Sequence, residues 1–297
     1  LDRLKPDFIM VLGDRFELLA VAQVALVSRI PIVHLGGGDV TEGAFDEAIR
    51  HSITKMSQLH FVTNKESEKR VHQLGEDPEN IHLVGNPGLD HLNSLKLMEK
   101  NELEKSLRYS FKSQNILVTF HSVTLDNAPA VNSFSALLEA LDSLGEDIGI
   151  IFTRPNADTE GRQLIKMLDE YVEDRSNCIA YTSLGQLRYL STVALVDVVV
   201  GNSSSGILEV PSLKTATVNI GDRQKGRLRA DSIIDCEPIT ENIKESIQQA
   251  FKLDCSTVVN PYGDGNTTER VLKVLREINH PERLIKKHFY DIDFEYS

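Results

Sequence analysis

The chain has 297 residues, 41% of them hydrophobic and 26% charged, and a net charge of −12. That length holds two domains with separate cores, and that charge disfavours nucleic acid and anionic membranes. No apolar run reaches the roughly 20 residues that span a bilayer, and the opening residues do not read as a secretory leader.

In chain order, 7–14 (DFIMVLGD) reads as a buried strand and 15–29 as a helix packed on a sheet. Strand 30–35, helix 46–57, strand 59–63, helix 65–75 and strand 80–85 follow. This βαβαβ series predicts a parallel sheet with helices on both faces. The chain begins with Leu and its first strand arrives almost at once, so part of the first domain is expected to lie upstream. The polar stretch 92–112 is the expected interdomain connection. A second series starts at NILVTFH (115–121) and runs through FSALLEALDSLG, IGIIFTRP, a helix near 160–174, NCIAYTS, GQLRYLSTV, LVDVVVGN, ATVNIGD and TENIKESIQQAFK. The expectation is an α/β protein with two Rossmann-like domains facing a cleft. Residues 1–108 would form a partial N-terminal domain and 109–280 a C-terminal domain, with 281–297 returning to the first.

In open α/β sheets ligands bind beyond the C-terminal ends of the strands, and the polar loops fall there. GNSSSGILEVPS (201–212) runs from a buried strand into a short helix. Free N–H groups and hydroxyls at its start suit an anion, with Ser203 and Ser204 on a diphosphate and Glu209 on a ribose diol. A serine N-cap explains the same residues equally well. IGDRQKGRLRA (220–230) is a basic patch suited to phosphate or a solvated loop, and FTRPNAD (152–158) offers Arg154, Asn156 and Asp158 or is a plain turn. His121 ends a strand, where its imidazole titrates near neutrality or is structural. Asp14, beside Arg15, caps the next helix or takes part in catalysis. HLGGGDVTEGAFDEAIRH (34–51) follows three glycines with Asp39, Glu42, Asp46 and Glu47, of which Glu47 is expected only to start a helix.

No metal is expected: His51 and His60 lack ligand spacing, and Cys178, Cys236 and Cys255 are too scattered for a zinc site or a disulfide framework, which fits a reducing cytoplasm. The glycines do not form a GxGxxG loop, so no nicotinamide cofactor is expected.

Taken together, VLGDRFE, GGDVTEGAFDEAIRHSITK, LHFVTN, VGNPGLD, TFHSVT, TRPNADTEGR, SLGQLRYLS, GNSSSGILEVPS, VNIGDRQKGR and NPYGDGNTTERVLKVL resemble, in order and spacing, the hydrolysing UDP-N-acetylglucosamine 2-epimerases of sialic-acid-type pathways. The resemblance runs from Asp7 to about Leu275. It implies the GT-B fold, a homodimer, a UDP-sugar substrate without a cofactor, and elimination of UDP followed by hydration of a glycal. It also implies that Asp14, Asp46 and His121 are catalytic, that Ser203, Ser204 and Glu209 bind UDP, and that Ser183 lies where the uracil ring is held. Gln224 and Arg227 match a basic segment lining the cleft, with Arg15, Arg154 and Asn156 as further substrate-binding positions.

One departure stands out. In the family the strand runs into His-x-Glu-Gly-Gly-Glu, whose first Glu is catalytic. That position here is Gly36, the last Glu is Asp39, and the loop is one residue longer before Asp46. Asp39 is the first choice to replace the absent acid and Glu42 the second. A glycine-lined pocket would also admit a sugar with a second acetamido group at C4, as in legionaminic-type pathways. The rival readings are a non-hydrolysing epimerase, a glycosyltransferase on the same fold, and an inactive UDP-sugar sensor.

Overall fold

The computed structural model describes residues 3–40, 46–122, 130–155 and 159–293. The chain divides into two compact units, Leu1–Ser94 with Pro261–Ser297, and Leu95–Asn260.

The first unit begins with β1 (Ile9–Leu12), α1 (Phe16–Val27), β2 (Ile32–Leu35), α2 (Asp46–Met56), β3 (Leu59–Val62), α3 (Lys65–Gln73), β4 (Ile81–Leu83) and the short α4 (Asp90–Ser94). Its four strands lie in the order β1-β2-β3-β4, all parallel. Every residue of β2 and β3 is buried, as expected for strands covered on both faces. Val33, Leu35, Leu59 and Phe61 form the centre of this core.

Helix α1 packs less than its sequence leads one to expect. Only Ala22 and Ala25 are buried, against Val11, Ile32 and Ile53, while Phe16, Val24 and Val27 are 61%, 55% and 84% exposed. The helix is apolar on all sides, and the sheet takes only its small-residue stripe.

The second unit holds α5 (Lys100–Leu107), β5 (Gln114–Thr119), α6 (Ala130–Asp142), β6 (Ile148–Thr153), α7 (Thr159–Glu173), β7 (Cys178–Tyr181), α8 (Gly185–Val193), β8 (Val198–Gly201), α9 (Ser204–Leu208), β9 (Ala216–Ile220), β10 (Ile233–Cys236) and α10 (Thr240–Ala250). The parallel order is β10-β9-β8-β5-β6-β7. One face packs Phe134, Leu137, Ile150 and Ile247; the other packs Leu103, Leu107, Leu117 and Ile151. Strand β10 has no counterpart in the sequence expectation. It pairs only with β9, and its residues are half-buried or exposed, so it lacks the apolar run that marks an interior strand.

The chain then returns to the first unit through α11 (Thr267–Glu277), whose Val271 joins the Val33–Phe61 core. The units therefore divide at Leu95 and Pro261 rather than after 108 and 280. Leu103 and Leu107 draw α5 into the second core, and Val271 draws α11 into the first.

Residues beyond α11 also fasten to the first unit. Lys287 Nζ donates to Glu76 (2.6 Å) and to the carbonyls of Lys55 (2.8 Å) and Ser57 (2.7 Å). Glu76 is buried and accepts further bonds from Lys55 (2.7 Å) and His60 (2.9 Å). Burial alone would raise its carboxyl; the donors from His60, Lys287 and Lys55 outweigh burial and hold it at about 2. The Phe289 ring lies over Gly75, where a Cβ would come within 2.3 Å of it, and the Tyr290 N–H donates to the Gly75 carbonyl (2.9 Å). Among the described residues no helix is long and apolar enough to cross a membrane.

Candidate active site

In the first unit the loops after β1 and β2 converge on one arginine. Arg50 lies on α2, one turn after Asp46, and its side chain is 6% exposed. Nη2 pairs with the Asp14 carboxylate, and Nη1 donates to the Asp39 carbonyl (2.6 Å). Asp39 Oδ1 accepts from Thr63 Oγ1 (2.7 Å), Ser67 Oγ (2.5 Å) and Asn64 Nδ2 (3.4 Å). The glycines before it make this possible. Gly38 has φ +78°, and a Cβ there would sit 2.3 Å from the Ser67 carbonyl, so a larger residue would lift the loop off α3.

Asp46 is the first residue of α2, where the free helix N–H groups favour a carboxylate. The exposed Arg15 turns its guanidinium to Glu17 (3.0 and 3.2 Å). Beneath these loops lies His34, fully buried. Its Nε2 is 2.8 Å from the Gly13 carbonyl and its Nδ1 3.1 Å from Thr54 Oγ1. Burial pushes the ring down to about 4, so it is neutral at pH 7.

In the second unit the candidates gather around Asn202, a buried residue at the end of β8. Gly201, just before it, has φ +143°, and a Cβ would meet the Thr119 carbonyl at 1.9 Å. Only glycine allows β8 to run this close to β5. The Asn202 side chain accepts from the His121 N–H (2.8 Å) and donates to the His121 carbonyl (2.9 Å). Its own carbonyl accepts from Gln224 Nε2 (2.9 Å) and Arg223 Nη1 (3.0 Å). Gln224 is buried and so braces the loop.

Ser203 is the N-cap of α9, its hydroxyl accepting from the Ser205 N–H at 3.4 Å. Ser204 opens that helix and Glu209 ends it. Ser183 accepts from the Gly185 N–H (3.1 Å) at the start of α8. Arg227 is half-buried, with Nη1 buried and lacking a hydrogen-bond partner among the described residues. It lines a cavity of about 680 Å³ with Lys225, Arg229, Asp235 and Glu237. Arg154 turns to Asp169 on α7 (2.6 and 3.0 Å) and to the Ala180 carbonyl (3.2 Å).

Asp14, Asp39 and Asp46 are thus joined through Arg50 and its helix in one unit, and His121, Ser203 and Gln224 through Asn202 in the other. Arg15 and Arg154 are engaged with local carboxylates. Asn156 and Glu42 lie outside the described residues. Sequence reasoning passed over Arg50, Asn202 and His34, although each stands inside a stretch it had singled out. The helical spacing of Asp46 and Arg50 was the available signal for the first. Among the described residues no group of three or more His, Cys, Asp or Glu is placed to hold a metal ion.

Two parallel α/β units with polar loops at their strand ends are the GT-B-like architecture of nucleotide-sugar enzymes. A crystal structure of UDP-GlcNAc 2-epimerase from Neisseria meningitidis bound to UDP-GlcNAc shares this fold, with a TM-score of 0.78 and 19% identity over 94% of this chain and 78% of that one. A profile of the UDP-N-acetylglucosamine 2-epimerase family matches residues 1–276, and the chain belongs to that family. It is 38% identical to the hydrolysing GDP/UDP-N,N'-diacetylbacillosamine 2-epimerase of Campylobacter jejuni, over 97% of this chain and 76% of that protein. It is 33% identical to the hydrolysing UDP-N,N'-diacetylbacillosamine 2-epimerase of Legionella pneumophila, over 95% and 74%.

Proposed function

We propose that the protein is a hydrolysing 2-epimerase that converts a UDP-2-acetamido sugar to UDP and the free 2-epimeric sugar. The observation that carries this reading is Arg50, on the helix that Asp46 opens, pairing with the Asp14 carboxylate and holding the Asp39 main chain, in a chain 38% identical to a hydrolysing relative. One carboxylate removes the C2 proton as the C1–O bond breaks and UDP departs, leaving a glycal. Water then adds at C1, and a second acid returns a proton to the opposite face of C2. Such a pair needs two proton-transfer groups with separate environments, which Asp14 on Arg50 and Asp46 at a helix start provide. Asp39 takes the place of the acid absent at Gly36, its orientation fixed by Thr63 and Ser67. His121 completes the catalytic set.

Leaving-group charge has to be stabilised by fixed donors, a role assigned to Ser203, Ser204 and Arg227. Glu209 receives the ribose hydroxyls and Ser183 the uracil ring. The favoured sugar is the 2,4-diacetamido-6-deoxy form. A Cβ at Gly36 would meet only the Gly13 nitrogen, in ordinary contact at 4.0 Å, and the glycine leaves out the side chain that would otherwise crowd an added acetamido group. Both hydrolysing relatives are named for such a substrate.

The test incubates the protein in deuterated water with UDP-N-acetylglucosamine and, separately, with its 4-acetamido-6-deoxy analogue. The expected products are free UDP and a 2-epimeric sugar carrying one deuterium at C2, formed faster from the analogue. An epimerised but intact nucleotide sugar identifies a non-hydrolysing enzyme, and UDP binding without turnover identifies a sensor.

A further inference from the structure

We propose that His34 is a positioning residue, holding Asp14 in place through the Gly13 carbonyl; the inference rests on the proton-transfer role given to Asp14 above. The imidazole, on β2, ties the loop after β1 to helix α2. Nε2 faces a carbonyl oxygen, which only accepts, so this nitrogen carries the proton. In the neutral ring Nδ1 is then the acceptor for the Thr54 hydroxyl. That hydroxyl also lies 3.0 Å from the Arg50 carbonyl, and its single proton serves one of these two acceptors at a time.

The contacts close on themselves. His34 grips Gly13, Gly13 is bonded to Asp14, Asp14 pairs with Arg50, and Arg50 shares a helical turn with Thr54, which returns to His34. Gly13 has φ +83° and no side chain, so nothing intrinsic to that peptide fixes its orientation. The Gly13 N–H is held by the Leu35 carbonyl (2.9 Å), and the His34 bond fixes the carbonyl that leads into Asp14. Gly37 shows how tightly the clamp is packed: a Cβ there would lie 3.0 Å from Thr54 Oγ1 and 3.1 Å from His34 Nδ1.

The test compares His34→Leu, His34→Gln and Thr54→Val with the native chain. Glutamine keeps an N–H donor that reaches Gly13; leucine does not. Misplacing a reacting group by about 1 Å costs about 100-fold, so His34→Leu should lower kcat by about that factor. KM and inhibition by UDP should stay within about threefold. Glutamine should recover at least about tenfold of the loss, and Thr54→Val should fall between the two. Native kcat in His34→Leu, or a loss that glutamine does not relieve, overturns the proposal. A second arm does not depend on turnover. Amide exchange across residues 12–16 should quicken by about tenfold in the leucine variant, or in Thr54→Val if that variant fails to fold, with exchange in β3 unchanged. Equal exchange at 12–16 overturns the positioning role. If the native chain releases no UDP from either sugar, the proposed reaction falls, and the exchange arm alone decides the role of His34.

Discussion

Asp39 illustrates how an acid can serve the fold and the chemistry with different properties. Its Oδ1 accepts from Thr63 and Ser67, and an asparagine amide oxygen accepts the same two hydrogen bonds. Asp39→Asn therefore removes the acid while keeping the acceptor. The expected outcome is loss of deuterium incorporation at C2, with the thermal midpoint within about 2–4 °C of the native value; full incorporation rejects the assignment. Of the candidate residues, those at strand ends were legible, since Asp14, His121 and Ser203 stand where the alternation of elements places loops. What binds them was not. Arg50 meets Asp14 across 36 positions, and Asn202 meets His121 across 81; pairings of that range are set by tertiary packing. The pairing of Arg154 with Asp169 on α7 was equally hidden, since Asp169 is one of several carboxylates along that helix.

Among the elements, α1 departs furthest from its sequence pattern. A helix with apolar residues on every side is normally buried on every side, yet here Val21, Val24 and Val27 face outward at 41%, 55% and 84% exposure. Val24→Glu with Val27→Lys should change unfolding free energy by no more than about 0.5 kcal/mol each. The double substitution should also suppress concentration-dependent association, as read by light scattering. An unfolding shift of several kcal/mol would show that this face is covered in solution. The same pattern reasoning placed nine of the ten strands, because buried parallel strands are continuous apolar runs. It missed β10, whose Ile233-Ile234-Asp235-Cys236 is short and half-exposed.

For the molecule as a whole, acid should destabilise the fold in two stages. His34 is held neutral, with a value near 4 against 6.5 when unfolded. The unfolded chain therefore binds the proton first, and stability falls as pH drops from 6.5 toward 4. Glu76 lies at about 2 against 4.5; its contribution is complete above 4.5 and is lost as pH falls toward 2. Urea midpoints measured from pH 7 to pH 3 should show both declines. His34→Gln should shrink the upper stage, to which the buried His60 also contributes. Lys287→Met should shrink the lower one and cost about 3 kcal/mol at pH 7, since it strips a donor from a buried carboxylate. Unchanged curves in both variants would dismiss this account. The two-domain α/β plan was visible in the sequence because its periodicities are local. The exact junctions were not, since membership of α5 and α11 is decided by which core receives Leu103, Leu107 and Val271.

The lysine that reaches Glu76 also imposes an order on biosynthesis. Glu76 leaves the ribosome about two hundred residues before Lys287, roughly 10–40 s earlier at about 5–20 residues per second. During that interval the whole segment Leu95–Asn260 emerges and is free to fold as an uninterrupted stretch. The nascent first unit, meanwhile, carries a carboxylate whose last donor has not yet been translated. The lobe begun first is therefore the one finished last, and a chain released early is deficient at the end of the protein that was made first.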